Sequence, residues 1–526
     1  MAQDFTTLVA AFEQLWLDPA RAGSLALCDE RQQLTYSALH AGVGALSGRL
    51  RAAGVREGDR VALAMERSAV LALAVLAVMA CGACPCPLEP KLGAEETARR
   101  YRVARFDWTL ADEAHRGEAS LAHVRDDRML DIGCLPQAQP YWAGALPPHA
   151  HGFLLFTSGS SGRPKGVLQN HRGMLANAMG VVRHTGLSPA DRLLHVMPLH
   201  HTNGVNNQVL APLLAGATVV LAGRFKAESM PALMARHRPT IVTGVPTMYS
   251  RMLACDFPPR SLEQLRMLRC GSAPITEELH RRIEAKFGIP LVVSYGLSEA
   301  TCTSTMNPPS RRKIGSVGTP LAGQTVFLRG PGGERITAPG RDGEVCITGP
   351  VLMTGYLDED SDGHARPVEP VLGSGDLGRF DGEGYLFITG RIKDVIIRGG
   401  ENLSPNLIEE AIAAVPGVVA CCVVGRLHAD LGEVPVAFVV RQPSLGSAVT
   451  APVLDAAVLA RLSRIHQPAQ YLFVDALPEN SVGKVDRKKL AASLARQQAA
   501  VHYSRGTAFQ LCFESEANPV QAQGER

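Results

Sequence analysis

Ten residues, Thr157 to Gly166, read TSGSSGRPKG and combine three glycines (Gly159, Gly162, Gly166), four hydroxyls (Thr157, Ser158, Ser160, Ser161) and two cations (Arg163, Lys165). Such a composition suits a polyphosphate. Glycines let backbone N–H groups turn toward an anion, hydroxyls donate to phosphate oxygens, and Lys165 adds a mobile positive charge. The stretch is not a GxxxxGK[ST] loop, because the residue five after Gly159 is Pro164 and Lys165 is followed by Gly166. The elements that must hold it are two strands: the apolar run Phe153 to Phe156 before it, and Val167 to Gln169 after it. Asn170 then caps a helix predicted to begin near His171.

The chain has 526 residues, 46% of them hydrophobic and 5% aromatic, which is enough for a large domain and a smaller one. A formal net charge of +3 gives no electrostatic case for nucleic acid or for a membrane surface. The most apolar stretch, Ala69 to Cys81, is too short to span a bilayer and reads as a buried helix. With no basic n-region at MAQDFTTLVA, the 12 cysteines read as cytoplasmic thiols, and the group Cys81, Cys84 and Cys86 reads as small buried residues rather than a metal site.

Residues 1 to about 150 alternate helix and strand: a helix Ala41 to Ala53, a strand Arg60 to Ala64, a helix Ser68 to Cys81 and a strand Trp108 to Ala111. The alternation predicts an α/β domain of mostly parallel sheets flanked by helices. Strands are expected again at Arg192 to Met197, Ala217 to Ala222, Ile241 to Gly244, Met267 to Cys270 and Leu291 to Ser294. From Gly315 to Phe387 short runs divided by Gly and Pro predict an antiparallel β segment closing this domain. A small α+β unit follows Arg391, opening on a strand Asp394 to Arg398 and a helix that Ser404 caps and Pro405 starts, ended by Pro416-Gly417.

Further motifs follow the phosphate stretch in order: PLHHTNG at Pro198, GSAP at Gly271, YGLSEA at Tyr295, GSVGTP at Gly315, GDLG at Gly375, GRIKDVIIRGGENLSP at Gly390 and NSVGKVDRKKL at Asn480. Together they resemble the adenylate-forming superfamily of acyl-CoA synthetases, peptide-synthetase adenylation domains and luciferases, most of all the acyl-CoA ligase branch. The resemblance implies an N-terminal adenylation domain at 1–391, a hinge at 392–393 with Lys393 at its centre, a mobile C-terminal domain at 394–496 and a tail at 497–526. It implies a two-step reaction as well. A carboxylate attacks the α-phosphorus of ATP to give an acyl-adenylate and pyrophosphate, and a thiol then displaces AMP.

Carried residue by residue, the resemblance gives the phosphates to Thr157, Ser158, Gly159, Ser160, Ser161, Gly162 and Lys165. Glu299 becomes the Mg²⁺ carboxylate, and Ser298 touches the α-phosphate. Tyr295 and Gly296, with the backbone of Gly271, Ser272, Ala273 and Pro274, border the adenine. Asp376 accepts from the ribose hydroxyls with Arg391 in support, Lys484 is the catalytic lysine, and Gly400 lines the path of the pantetheine thiol. Domain alternation about Lys393 brings Lys484 in for the first step and the Gly399-Gly400-Glu401 loop in for the second.

His201 is expected to gate the acid, and Thr202, Asn203, Ser294 and Thr301 to line its pocket. No acidic residue in the PLHH region awaits an α-ammonium. A pocket so polar favours a small, polar or hydroxylated acid, aromatic acids included, over a long fatty chain. Coenzyme A is the default acceptor; a phosphopantetheinylated carrier protein, or an amine receiving another adenylated oxyanion such as nitrite, stands as the alternative. A serine hydrolase using Ser298 in a near-GxSxG elbow and a non-catalytic nucleotide binder are the readings from other classes. The expected partners are small molecules, with no nucleic acid and no membrane span, for a cytoplasmic monomer or homodimer.

Overall fold

Strands buried on both faces alternate with capped helices through the first part of the chain, and the result is layered. In the computed structural model, which describes residues 5–90, 92–158, 164–480 and 483–501, contacts divide the chain into two compact units. One runs to Lys393 and includes Gly483 and Lys484; the other comprises Asp394 to Asn480 and the residues from Val485 onward. The large unit is built on a nine-stranded sheet. Its order is Thr319–Pro320, Thr305–Met306, Leu291–Tyr295, Met267–Cys270, Ile241–Gly244, Arg192–His195, Thr218–Leu221, Leu25–Cys28, Gln33–Thr35. From Leu291–Tyr295 to Leu25–Cys28 every pairing is parallel, and both margins are antiparallel. The central strands Ile241–Gly244 and Met267–Cys270 are buried along their whole length, as covered parallel sheets require.

A parallel sheet of Cys84–Pro87, Arg60–Ala64, Trp108–Ala111 and Met129–Asp131 lies in the same unit. The phosphate stretch belongs to neither. His151–Ser158 and Pro164–Asn170 form an antiparallel hairpin, with Thr157 opposite Lys165, and Gly355–Leu357 pairs along its second strand. The expected β segment is an antiparallel sheet of Arg335–Ile336, Thr325–Arg329, Gly343–Thr348, Val371–Phe380 and Leu386–Arg391. Its last pairing sets Asp376 opposite Arg391.

Caps decide several boundaries. Asn170 Oδ1 accepts from Gly173 N at 2.8 Å to open the helix His171–Thr185, which Gly186 ends at φ +62°. The helix expected from Ala41 begins earlier and spans Tyr36–Ala52, because Thr35 Oγ1 accepts from Ala38 N and Tyr36, Leu39 and Val43 continue the buried face. The strands expected to reach Met197 and Ala222 stop at His195 and Leu221.

The small unit is α+β. Val418–His428 and Gly432–Arg441 form a long antiparallel pair, with Gln470–Val474 added in parallel. Its core is Ile408, Ile412, Val423, Val439, Leu454 and Val458. The strand expected at Asp394 to Arg398 is only Ile396–Arg398, since Ile392–Asp394 forms a 3₁₀ turn; it pairs with Glu401–Leu403 across Gly399-Gly400. Ser404 occupies the N-cap of Pro405–Ala413 without a side-chain capping bond, so the fixed φ of Pro405 sets the start.

Candidate active site

Two carboxylates of the large unit are each held by a tyrosine hydroxyl at 2.8 Å. The first is Glu299, whose Oε1 accepts from Tyr356 Oη. Tyr356 lies on Gly355–Leu357, the strand paired with the phosphate hairpin, and the Lys165 ammonium sits 5.2 Å from the centre of its ring. Burial, then the Glu299 charge, pushes the phenol pKa far up, so Tyr356 stays a donor. The backbone around Glu299 is clamped. Gln169 Nε2 donates to Ser298 O at 2.9 Å and Thr301 O at 2.6 Å, and Asn206 Nδ2 donates to Gln169 Oε1 and Thr301 O. Thr301 has φ +66° and ψ −54°, and Cys302 N donates across it to Ala300 O. This is the rare γ-turn, a strained conformation for a β-branched residue, kept by bonds on both sides.

The second carboxylate is Asp376. Arg391 Nε donates to Oδ1 at 2.7 Å and Tyr295 Oη to Oδ2 at 2.8 Å. A carboxylate has about four lone-pair sites, so two bonds leave Asp376 able to accept more. Gly296 follows Tyr295 where any Cβ would lie 1.9 Å from Cys302 O, so only glycine fits. Gly271 to Pro274 leaves the strand Met267–Cys270, with Ser272 in the left-handed region at φ +68° and its Oγ accepting from Asn203 Nδ2 at 3.3 Å.

Gly483 O accepts from Thr247 Oγ1 at 2.6 Å. Next to it the Lys484 ammonium has a lowered pKa, first through burial and then through Arg391, with Asp376 opposing. His201 is held neutral: burial, then His200 and Lys484, push its pKa far below the usual imidazole range. Its Nε2 is buried without a hydrogen-bond partner.

Not every sequence expectation falls on this site. Thr301 was expected to line the acid pocket, but it is fully buried and its hydroxyl donates to Val351 O at 2.6 Å; it belongs to the clamp. Ser294 Oγ donates to Cys270 O at 3.4 Å, and Thr202 and Asn203 are buried. Gly159, Ser160, Ser161 and Gly162 lie outside the described residues, as does the Ser158 side chain. Lys393 closes the large unit, and Gly400 lies in the small one. Ser298 opens a 3₁₀ turn followed by the γ-turn, with none of the strand-to-helix geometry of a nucleophile elbow, so the hydrolase reading falls. Cys81, Cys84 and Cys86 are buried, with all three thiol pKa values raised by burial. Sequence reading missed Tyr356, Gln169 and Arg269. Arg269 alone left a signal, a charge inside an apolar strand.

Residues 19–357 match the family of AMP-binding enzymes, and residues 407–484 match the AMP-binding enzyme C-terminal domain. The chain belongs to the AMP-binding enzymes. Within this adenylate-forming superfamily it falls in the acyl-CoA ligase branch. It is 34% identical over 482 residues to a sulfoacetate–CoA ligase of Cupriavidus necator, covering 88% of this chain and 93% of that protein. It is 34% identical over 473 residues to a feruloyl-CoA synthase of an Amycolatopsis species, covering 86% and 92%. The o-succinylbenzoate coenzyme A synthetase of Bacillus subtilis, solved with ATP and a magnesium ion, superposes with a TM-score of 0.78 at 28% identity, covering 92% of this chain and 99% of that one. The fold shared with such AMP-binding enzymes is a large N-terminal α/β domain with mixed sheets and a small α+β C-terminal domain. The site's residues fit ATP and magnesium. Glu299 offers a hard carboxylate oxygen of the kind Mg²⁺ takes together with substrate phosphates, and Asp376 keeps acceptor capacity for a diol. Among the described residues no helix is long and apolar enough to cross a membrane.

Proposed function

We infer that this chain is an AMP-forming acid–CoA ligase: it activates a carboxylic acid with ATP through an acyl-adenylate and passes the acyl group to the thiol of coenzyme A. The observation that carries the assignment of roles is the pair of tyrosine-held carboxylates, Glu299 and Asp376, each fixed at 2.8 Å and each with accepting capacity left. Asp376 holds the ribose hydroxyls, and Arg391 keeps the carboxylate oriented. Tyr295, tethered through its hydroxyl, offers its ring to the adenine, and the Gly271–Pro274 backbone borders the base. Lys165 neutralises phosphate charge beside Tyr356, and Thr157, Ser158, Gly159, Ser160, Ser161 and Gly162 are assigned to the same phosphates. Bound magnesium, held by Glu299, supplies charge neutralisation across the phosphates. Ser298 meets the α-phosphate, and Lys484 bridges that phosphate and the substrate carboxylate. His201, neutral and with an unused Nε2, orients the carboxylate without adding charge.

The acid is small or aromatic and carries polar groups, because the buried side chains Thr202 and Asn203 make its pocket a polar surrounding that suits such an acid better than a hydrocarbon tail. The sulfoacetate and feruloyl named for the two relatives are of that kind. Residues 392–393 act as a hinge between domains at 1–391 and 394–496, and the enzyme works in the cytoplasm as a monomer or homodimer, where its free cysteines suit a reducing compartment.

A panel of acids offered with ATP and Mg²⁺, each with and without coenzyme A, tests the reading. Acid-dependent pyrophosphate release is expected, with a thioester appearing only when coenzyme A is present. Adenylate that coenzyme A leaves unconsumed would overturn the acceptor and send the search to a carrier protein or an amine. Tyr356→Phe tests the Glu299 corner. Loss of the hydroxyl is expected to raise the magnesium concentration needed for half-maximal release by about tenfold, the usual effect of removing a group that orients a metal ligand. An unchanged magnesium titration would show that Tyr356 only packs.

A further inference from the structure

We propose that Arg269 makes the acid pocket a site for acids bearing a second anionic group, a carboxylate or sulfonate at the end remote from the reacting carboxyl. This rests on the ligase reading above and narrows its substrate class.

Arg269 lies on Met267–Cys270, in the interior of the nine-stranded sheet, and is 2% exposed. Side chains alternate along a strand. Leu268 and Cys270 enter the core beside Met248 and Tyr249. Met267 enters the opposite core with Val205, Val209 and Leu210 of the segment that follows His201, and Arg269 shares its face. The guanidinium reaches that segment but finds little there. Nη1 donates to Asn207 O at 3.4 Å, the outer limit of a hydrogen bond, and Nε is buried with no partner. The groups that act on it electrostatically are Cys302, Tyr249 and Arg266, none of them a carboxylate. Burial lowers its pKa to about 10, which leaves it charged at neutral pH. Arginine is seldom buried without a counter-ion, because a desolvated cation with unused donors is costly.

The surroundings lead from this cation to the acid pocket. Asn207 Nδ2 donates to Asn203 Oδ1 at 3.1 Å and Thr303 Oγ1 at 2.8 Å, and Asn203 Nδ2 donates to Ser272 Oγ beside the adenine-bordering turn. Arg269 is thus linked through Asn207 to Asn203, two positions after His201. Two further polar atoms, Asn207 Oδ1 and Thr243 Oγ1, are buried without partners, and Thr243 is the cross-strand neighbour of Arg269. Asn207 lies on a π-helical stretch, Asn206–Leu210, a distortion that recurs at functional sites. An acid entering with its reacting carboxylate toward Lys484 directs its other end to Arg269. A carboxylate or sulfonate there matches the planar fork of the guanidinium, whereas a methyl group leaves the charge unpaired.

The test uses the full-length enzyme with ATP, Mg²⁺ and coenzyme A, and compares kcat/KM for pyrophosphate release across matched pairs: sulfoacetate against propanoate, succinate against butanoate, terephthalate against 4-methylbenzoate. The charged member of at least one pair is expected to exceed its neutral partner by about 10²-fold or more, the range seen when a site is built to pair a polar group. Arg269→Met is expected to lower kcat/KM for that charged acid by a similar factor, chiefly through KM, while leaving its neutral partner within about threefold. Thermal melts keep the result readable. Arg269→Met should melt no lower than the wild type, because it deletes an unpaired buried charge, and the preferred charged acid should raise the wild-type melting temperature and not the variant's. Preference of the wild type for neutral acids, or an unchanged charged-to-neutral ratio in Arg269→Met, overturns the proposal and leaves the ligase reading standing. Absence of release with every acid overturns the ligase reading, and a wild-type melting temperature that no charged acid raises then overturns the Arg269 proposal too.

Discussion

Replacing Lys484 with alanine is expected to slow acyl-adenylate formation by about 10²–10³-fold, the loss that follows removal of one donor aimed at charge developing in a transition state. The first step joins two anions, and charge accumulates between the attacking carboxylate and the α-phosphate. Lys484 is partly buried, and its pKa is lowered by desolvation first and by Arg391 second, with Asp376 opposing. An ammonium so placed is destabilised until anions arrive. ATP and the acid supply them, so the binding that aligns the reactants also restores the charge that the step uses. A pH signature follows. In the free enzyme the active, charged form persists only below the lowered pKa, so kcat/KM should fall with rising pH earlier than an ordinary lysine allows. In the loaded enzyme the pKa recovers, and the falling limb of kcat should move to higher pH. Pyrophosphate exchange measures the first step. Thioester formation from synthetic acyl-adenylate and coenzyme A should stay within about threefold in Lys484→Ala, since the α-phosphate is then a leaving group already formed. Equal loss in both half-reactions would remove Lys484 from the role of adenylation catalyst.

The second large effect is expected at Gly400 and in the opposite half-reaction. Gly399 and Gly400 form the two-residue turn between Ile396–Arg398 and Glu401–Leu403, at φ +58° and +87°. Two successive positive φ values are the mark of a type I′ hairpin, which selects glycine. A Cβ on Gly400 would meet nothing within 4 Å. The cost of a side chain there is thus conformational, about 1 kcal/mol, and alanine and leucine share it. They differ in bulk. If the thiol of coenzyme A passes this turn, Gly400→Leu should slow thioester formation by about 10²-fold relative to Gly400→Ala, the scale on which a misplaced reactant costs rate. Adenylation should remain within about threefold in both. Alanine and leucine variants equally slow would trace the defect to the hairpin's backbone and remove Gly400 from the thiol's path.

The sequence made the chemistry legible where motifs are local. The glycines, hydroxyls and lysine around Thr157 to Gly166 point to an anion site by composition alone, and YGLSEA and GDLG single out Glu299 and Asp376, which the structure ties to Tyr356, Tyr295 and Arg391. Partnerships across long stretches of chain were not legible. Tyr356 stands 57 positions from Glu299, inside a short strand whose pairing with the phosphate hairpin has no local signature. Gln169 reads as one polar residue in a strand, and its two carbonyl partners come from a turn 129 and 132 positions away. Thr301 looked like a pocket residue because it follows a motif, yet its hydroxyl and its carbonyl are both occupied by the clamp. Arg269 could have been found, because a cation in the apolar run MLRC demands an explanation. The early start of the helix at Tyr36 was hidden because Thr35 closes a short strand and caps the helix at once.

The strand Pro164–Asn170 limits how this enzyme can vary. Lys165 and Gln169 are four residues apart on it and so lie on one side, about 13 Å from end to end. At one end is the cation beside Tyr356; at the other is the amide that holds the Glu299 turn. The strand works as a ruler, setting the distance between the cation proposed to meet phosphate and the anchor of the carboxylate proposed to hold magnesium. Removing one residue from Gly166 to Leu168 would turn Lys165 or Gln169 to the opposite side, so neither end could compensate for the other. Substitutions at Val167 or Leu168 can be absorbed by repacking, but length here cannot change. The interval between Lys165 and Gln169 should therefore be invariant in working descendants of this chain, even in those selected to accept a different acid.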